Sequence, residues 1–166
     1  MQIGLAYRDF ATNKIDALGR YELRYLKDNT GVLDVQRTAH IVSTHINYQP
    51  QADLSFAGRY AGKYVLEDSN GINSHSTSHL LGARADYDFK RDWTVGLNSS
   101  VLFNGSFKSR QYAIGGELGY LAMKNLWVSA GYNVFGFFDK DLTGEDYTNQ
   151  GLFLRMRYKF DENLLK

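Results

Sequence analysis

Residues 151–160 alternate between apolar and polar side chains along the chain. One set of alternate positions carries Leu152, Leu154, Met156, Tyr158 and Phe160, and the other carries Arg155, Arg157 and Lys159. Successive side chains of a β-strand point to opposite faces, so the segment predicts a strand with one apolar and one cationic face. Such a strand separates two environments of very different polarity.

The same alternation recurs along the whole chain. It predicts strands at about residues 3–8, 16–26, 37–48, 53–66, 78–89, 93–103, 111–121, 126–138 and 151–160. Charged residues recur on one face of several of these strands, which favours an enclosed polar lumen with the apolar face turned to lipid. We therefore predict one all-β domain over residues 1–166, an antiparallel up-and-down transmembrane β-barrel with about nine strands visible.

The predicted connections alternate in length. Tight turns are predicted around Pro50, Arg91 and Lys124, and longer polar loops around Asn29, Asn70 and Glu145, with a short one near Ser106. The loop that begins at Glu67 is predicted to hold about ten polar residues. Short turns on one rim and long loops on the other are typical of outer-membrane barrels, whose turns lie in the periplasm. Aromatic residues beside the tight turns predict a girdle at that interface.

The number of strands is odd, whereas single-chain bacterial barrels usually have an even number with both ends in the periplasm. The first residues already alternate as a strand, and no signal peptide precedes them. We therefore expect that the chain is the C-terminal part of a larger, even-stranded barrel. The alternative is an eight-stranded barrel that begins near Asp16, with residues 1–15 as an additional segment.

Composition limits the classes of function. The formal net charge of +1 gives no basic field for nucleic acid, so no nucleic-acid partner is expected. Cysteine is absent, which excludes disulfides and thiolate metal sites and fits a Gram-negative envelope protein. No apolar run reaches the roughly 18 residues of a membrane-spanning helix. The 12 Tyr and 10 Phe suit many strands with aromatic belts.

Charged residues on the predicted inward face are the main candidate site. They are Arg8, Arg20, Glu22, Arg24, Arg59, Lys63, Arg84, Asp86, Asp88, Glu117, Arg155, Arg157 and Lys159. One interpretation is a network of ion pairs that fills a narrow barrel, which would then serve as a membrane anchor. The other is a water-filled pore, in which the excess of basic residues favours anions.

Histidines give weaker candidates for chemistry. Ser43, His45 and Asn47 share one strand face, but neighbours two residues apart point in parallel and do not align a nucleophile with its base. We expect these three residues to be polar lumen lining. His75 and His79 lie four residues apart without an adjacent carboxylate, so a solvated loop edge is expected rather than a metal site. No enzyme activity and no cofactor are expected.

The end of the chain resembles the assembly signal of bacterial outer-membrane β-barrel proteins, Gly-x-x-apolar-x-aromatic-x-Phe. Gly151, Tyr158 and Phe160 fill its glycine and aromatic positions. Residues 126–160 also resemble the terminal barrel of long Gram-negative envelope proteins and of porin-like proteins. The resemblance implies an outer-membrane location and insertion by the barrel assembly machinery. It also implies contact with outer-membrane lipid and lipopolysaccharide, and with other envelope proteins.

Two rival interpretations remain open. A soluble lipocalin-like barrel that binds a ligand would place its apolar residues inside and its charges outside, the reverse of the predicted faces. A barrel enzyme that modifies lipids would need a Ser or His held by partners from different strands near the outer rim. The orientation of the faces distinguishes the first rival, and side-chain geometry distinguishes the second.

Overall fold

The protein is described by a computed structural model that covers residues 1–28, 35–105, 109–137 and 149–158. Its strands are β1 (Gln2–Arg8), β2 (Ile15–Asp28), β3 (Val35–Gln51), β4 (Leu54–Ser69), β5 (Ile72–Lys90), β6 (Trp93–Asn104), β7 (Ser109–Met123), β8 (Leu126–Phe135) and β9 (Gly151–Tyr158). They form a single sheet in sequence order, and every neighbouring pair is antiparallel. The predicted all-β, up-and-down fold is confirmed.

No helix in the described ranges is long and apolar enough to cross a bilayer.

The two faces of the sheet differ sharply in exposure. One face, called the outer face below, is apolar and exposed along most of its strands; Leu81, Leu97, Leu118 and Leu154 are examples. The other, the inner face, holds most of the buried side chains, although no second layer of the described residues covers it. The sheet is therefore curved around its inner face. His45 of β3 and Arg155 of β9 border the same cavity, which shows how far the curvature brings the two ends together.

The sheet is open between its first and last strands within the described residues, because β1 and β9 make no contact. An odd number of antiparallel strands gives β1 and β9 the same direction.

Tight turns lie at one rim, as predicted. Ala52–Asp53, Arg91–Asp92 and Lys124–Asn125 each join two strands by two residues. Pro50 lies before its turn, in β3, where the register between Tyr48 and Gln51 is shifted by a bulge. A bulge tolerates proline because it leaves a residue outside the hydrogen-bonded ladder.

Three aromatic rings beside two of these turns lie close together, whereas Trp127, beside the third turn, lies on the inner face instead. The ring centroids of Phe89 and Trp93 are 6.5 Å apart, and those of Trp93 and Tyr120 are 4.8 Å apart. All three rings lie on the outer face, where amphipathic rings favour a membrane–water interface. We call this set the lower girdle.

The predicted ten-residue loop after Glu67 is wrong. Strands β4 and β5 continue through that stretch, with Glu67 opposite Ser74, and only Asn70 and Gly71 form the turn. Both turn residues have positive φ, 52° at Asn70 and 81° at Gly71. These angles fit a type I′ turn, for which Asn-Gly is the preferred pair. The polar residues on either side belong to strand ends rather than to a loop.

Candidate functional site

Glu117 of β7 is the centre of the main charged cluster. Its carboxylate accepts hydrogen bonds from Arg84 Nη1 at 2.9 Å and from Arg155 Nη1 at 3.2 Å, and Ser129 Oγ also donates to it. The residue is only 8% exposed. Because β5, β7, β8 and β9 each contribute a side chain, this cluster joins four strands across the inner face.

Arg84 also binds Asp86 on its own strand. The guanidinium donates from Nε at 2.8 Å and from Nη2 at 2.6 Å to the two carboxylate oxygens, a bidentate pair. Gly96 of β6 lies beneath this pair. A Cβ at that position would lie 2.6 Å from Asp86 Oδ1 and 2.8 Å from Arg84 Nη2, so the glycine leaves the space that the ion pair occupies. Arg84, Asp86, Glu117, Ser129 and Arg155 are called the Glu117 network below.

A cavity of about 310 Å³ adjoins the Glu117 network. Its further lining includes Asp88 and Thr94, which are hydrogen-bonded at 2.5 Å, together with Arg157 and Trp127. The Arg157 side chain makes no hydrogen bond or ion pair within the described part of the chain. The charged side chains that line the cavity are three basic and three acidic residues: Arg84, Arg155, Arg157, Asp86, Asp88 and Glu117. Their formal charges balance.

Other residues of the predicted lumen set lie on the inner face, away from that cavity. Glu22 and Arg24 pair along β2 at 2.6 Å. Arg59 borders a second, smaller cavity of about 100 Å³ together with His45. Arg8, Arg20 and Lys63 lie on the same face at other levels. Lys159 lies outside the described residues.

An apolar cluster occupies the inner face on the side of the sheet opposite the tight turns. It consists of Ile41, Ala61, Leu80, Leu102, Ala113 and Phe137. Strands β3 to β7 each contribute one of its residues, and Phe137 follows β8. The sequence interpretation described this face by its charges and missed the cluster, although alternation already assigns Leu80 and Leu102 to the same face as Arg84 and Asn98.

Asn133 of β8 was not predicted as a site residue, yet it is completely buried. Its Nδ2 donates to the Asn149 carbonyl at 2.9 Å, and Asn98 Nδ2 donates to its Oδ1 at 3.4 Å. Gly115 lies opposite, where a Cβ would come within 2.0 Å of Asn133 Oδ1. The glycine therefore provides the space for a buried amide that ties β8 to the segment before β9.

Geometry does not support a catalytic arrangement at Ser43, His45 and Asn47. His45 Nε2 lies 3.0 Å from Asn47 Oδ1, whereas Ser43 makes no hydrogen bond with His45 in the described structure. Nor do any three His, Cys, Asp or Glu residues among those described come close enough to hold a metal ion.

Two residues of the predicted assembly signal lie in the described part of β9. Gly151 begins the strand opposite Asn133 with a φ of 128°, a conformation that favours glycine. Tyr158 lies opposite Leu126 on the outer face, at the end nearest the tight turns. Phe160 lies outside the described residues.

Comparison with known proteins gives a likeness in structure alone. No family model matches the chain, and no curated protein matches it in sequence. A solved structure described as a NanC porin superposes with a TM-score of 0.53 over 96% of this chain and 93% of the porin chain, at 12% sequence identity. At that identity the likeness concerns the fold, and it shows that this chain has the all-β, up-and-down architecture of a porin.

Proposed function

We propose that the protein is a porin-like channel of the bacterial outer membrane, through which small hydrophilic solutes pass along the inner face. The observation that carries the proposal is the separation of the faces. Most outer positions are apolar and exposed, and the inner positions carry most of the charges and a cavity of about 310 Å³. This orientation is the reverse of a soluble lipocalin-like barrel.

Anions are the solutes that the inner face favours. Its basic side chains in the described strands are Arg8, Arg20, Arg24, Arg37, Arg59, Lys63, Arg84, Arg155 and Arg157. The acidic ones are fewer: Asp16, Glu22, Glu67, Asp86, Asp88 and Glu117. Rings or rows of fixed positive charge raise the local anion concentration in a pore. The formal charges of the side chains that line the cavity balance. Among its basic residues, Arg157 is the one whose guanidinium has no ion-pair partner within the described part of the chain.

Conductance across a planar bilayer tests the proposal. In a gradient of potassium chloride we expect open channels. Their reversal potential should have the sign that indicates a higher permeability to chloride than to potassium. Arg157→Glu should reduce the ratio of chloride to potassium permeability severalfold, because it reverses a charge that borders the cavity. Lys124→Glu makes the same change of charge in an exposed turn and should have a smaller effect. Inserted protein without conductance would contradict the channel.

A membrane anchor is the second candidate. It is favoured by the apolar cluster and by the Glu117 network, because both fill space on the inner face with side chains that satisfy one another. A filled interior passes no ions, so the same bilayer experiment separates the two functions. An anchor predicts stable insertion and no current.

The proposal includes an outer-membrane location, with the last strand presented to the barrel assembly machinery. Contacts with outer-membrane lipid, lipopolysaccharide and other envelope proteins belong to it. It contains no catalytic step, no cofactor and no nucleic-acid partner. Membrane fractionation, followed by gel mobility that changes on heating, tests the location. Protein that stays soluble without detergent would overturn it.

A further inference from the structure

The outer face is divided into zones along its strands. On β5 the outward positions from Leu81 to Phe89 are apolar or aromatic, whereas Asn73, His75 and Thr77 are polar. His79 separates the two zones, ten positions before Phe89 of the lower girdle. The distance from His79 to Phe89 along β5 is about 33 Å, at about 3.3 Å per residue. With a strand tilt of about 40° it corresponds to about 25 Å, the height of the apolar zone of a membrane barrel.

Three basic side chains lie at this upper boundary, each against an aromatic ring. His79 stacks on Tyr60 and has its Nδ1 3.0 Å from the tyrosine oxygen. His40 Nδ1 lies 2.8 Å from Tyr21 Oη. The Arg110 guanidinium lies 5.8 Å from the centroid of Phe103. His40, His79 and Arg110, with their rings, are called the upper belt below.

Strand register places the three basic residues in a row. Phe103 lies opposite His79 on one side and opposite Arg110 on the other. His40 lies opposite Tyr64, two positions further along β4 than Gly62, the partner of His79. The three residues occupy alternate strands, β3, β5 and β7, so successive members are about 10 Å apart across the sheet, and His40 is also offset from His79 by about 7 Å along the strands. This spacing suits several neighbouring headgroups rather than one compact ligand.

Each imidazole pairs its Nδ1 with a tyrosine hydroxyl and leaves its Nε2 without a partner among the described residues. When the tyrosine hydroxyl donates to Nδ1, the hydrogen of a neutral ring is on Nε2, which remains available as a donor. Arg110 adds further donors and a fixed positive charge. Among the described strand residues of the outer face, the only acidic side chain is Asp68, near the tip of β4. The upper belt therefore complements an anionic acceptor.

We propose that the upper belt binds the phosphate groups of phosphorylated lipid headgroups, one headgroup at each basic side chain. A lipid fits better than a soluble anion because the exposed apolar zone directly beneath the belt can hold its acyl chains. The inference rests on the proposed membrane location and is independent of whether the inner face conducts.

Thermal unfolding of the purified full chain in a neutral detergent tests this inference. The probes are dioctanoyl phosphatidic acid, dioctanoylglycerol with the same chains but no phosphate, and inorganic phosphate. We expect phosphatidic acid to raise the unfolding temperature above the effect of dioctanoylglycerol, and inorganic phosphate to have little effect. The combined variant His40→Gln, His79→Gln and Arg110→Gln should lose the additional increase.

The matched control removes two histidines and one arginine elsewhere, with His45→Gln, His75→Gln and Arg37→Gln. His75 is on the outer face beyond the belt, and the other two are on the inner face. The control should respond to phosphatidic acid as the unmodified protein does. An equal response of both variants, or of both lipids, would overturn the inference. Conductance measured in parallel distinguishes that failure from a failure of the channel, since the belt variant should conduct normally.

Discussion

The inner face contains two regions that share the same strands but are stabilised differently. Arg84 of β5 and Glu117 of β7 belong to the charged network near the tight turns. Four residues away on those strands, Leu80 and Ala113 belong to the apolar cluster. Glu117 is 8% exposed and Leu80 is 2% exposed, so burial is similar in both regions. Chemistry, not accessibility, distinguishes them.

This difference shows what each region requires of its neighbours. A buried charge is tolerated because partners on other strands satisfy it, so the network depends on complete pairing. The apolar cluster depends on shape and volume instead. In the proposed channel, a solute would pass a charged lining and an apolar lining on the same face.

Loss of the central carboxylate should have the largest effect. Glu117→Gln leaves the charges of Arg84 and Arg155 without their shared counterion. Removal of one partner from a buried pair costs about 3–5 kcal/mol. Because the two arginine side chains are 26% and 30% exposed, we expect a value near the lower end of that range. The free energy of unfolding, measured by tryptophan fluorescence in urea with detergent, gives the result.

The control for this prediction is Asp88→Asn. Asp88 is an exposed acidic residue beside the same cavity, and it accepts one hydrogen bond from Thr94. Water replaces such a partner readily, so the loss should be below about 1 kcal/mol. Equal losses for the two variants would show that the Glu117 network contributes no more than a surface contact.

The sequence predicted the strands and the assignment of faces well, because both follow from an alternation that is visible in every segment. It placed Arg84, Asp86, Glu117 and Arg155 on one face, and the structure brings their side chains together. It could not show that they meet, because β5 and β7 are separated by β6 and contact depends on how strongly the sheet curves.

Two features of the structure differ from what the local sequence predicts. The polar residues around Asn70 are typical of a loop, although Asn-Gly is a specific signal for a two-residue hairpin turn. The buried Asn133 depends on Gly115 of the neighbouring strand, and no local pattern connects these two residues. Packing between segments that are distant in sequence determines which side chains form the apolar cluster and why the Asn133 amide is buried. Alternation assigns residues to a face but does not predict these contacts.

Truncation in the apolar cluster should have an intermediate effect. Leu80→Ala leaves a cavity among Ile41, Ala61 and Leu102, and such substitutions cost about 2–5 kcal/mol. We expect about 2–3 kcal/mol, since side chains on an open inner face can shift to reduce the cavity. Leu81→Ala is the matched control, because Leu81 is the next residue and lies on the outer face, where its truncation leaves no cavity inside the protein. The same urea unfolding should show a smaller loss for Leu81→Ala, because only the transfer of its side chain from water to detergent is lost and no cavity forms. A larger loss at Leu81 than at Leu80 would contradict the assignment of the two faces.

Replacement of a glycine beside the charged network should have the smallest effect. A Cβ at Gly131 would lie 2.3 Å from Phe153 Cζ and 2.7 Å from the Gly116 carbonyl oxygen. The Phe153 ring and the backbone at Gly116 must therefore both shift, and we expect Arg155, whose guanidinium lies 5.7 Å from that ring, to move with the ring. Such overpacking costs about 1–3 kcal/mol, and we expect about 2 kcal/mol for Gly131→Ala in the same urea unfolding, since a backbone oxygen is one of the two clashing atoms. Gly58→Ala, on the outer face with no atom within 4 Å of the new Cβ, is the control.

The double variant Glu117→Gln with Gly131→Ala should lose less unfolding free energy than the sum of the two single losses, because both substitutions disturb the contact of Arg155 with Glu117. Strict additivity would show that the Phe153 ring does not position Arg155.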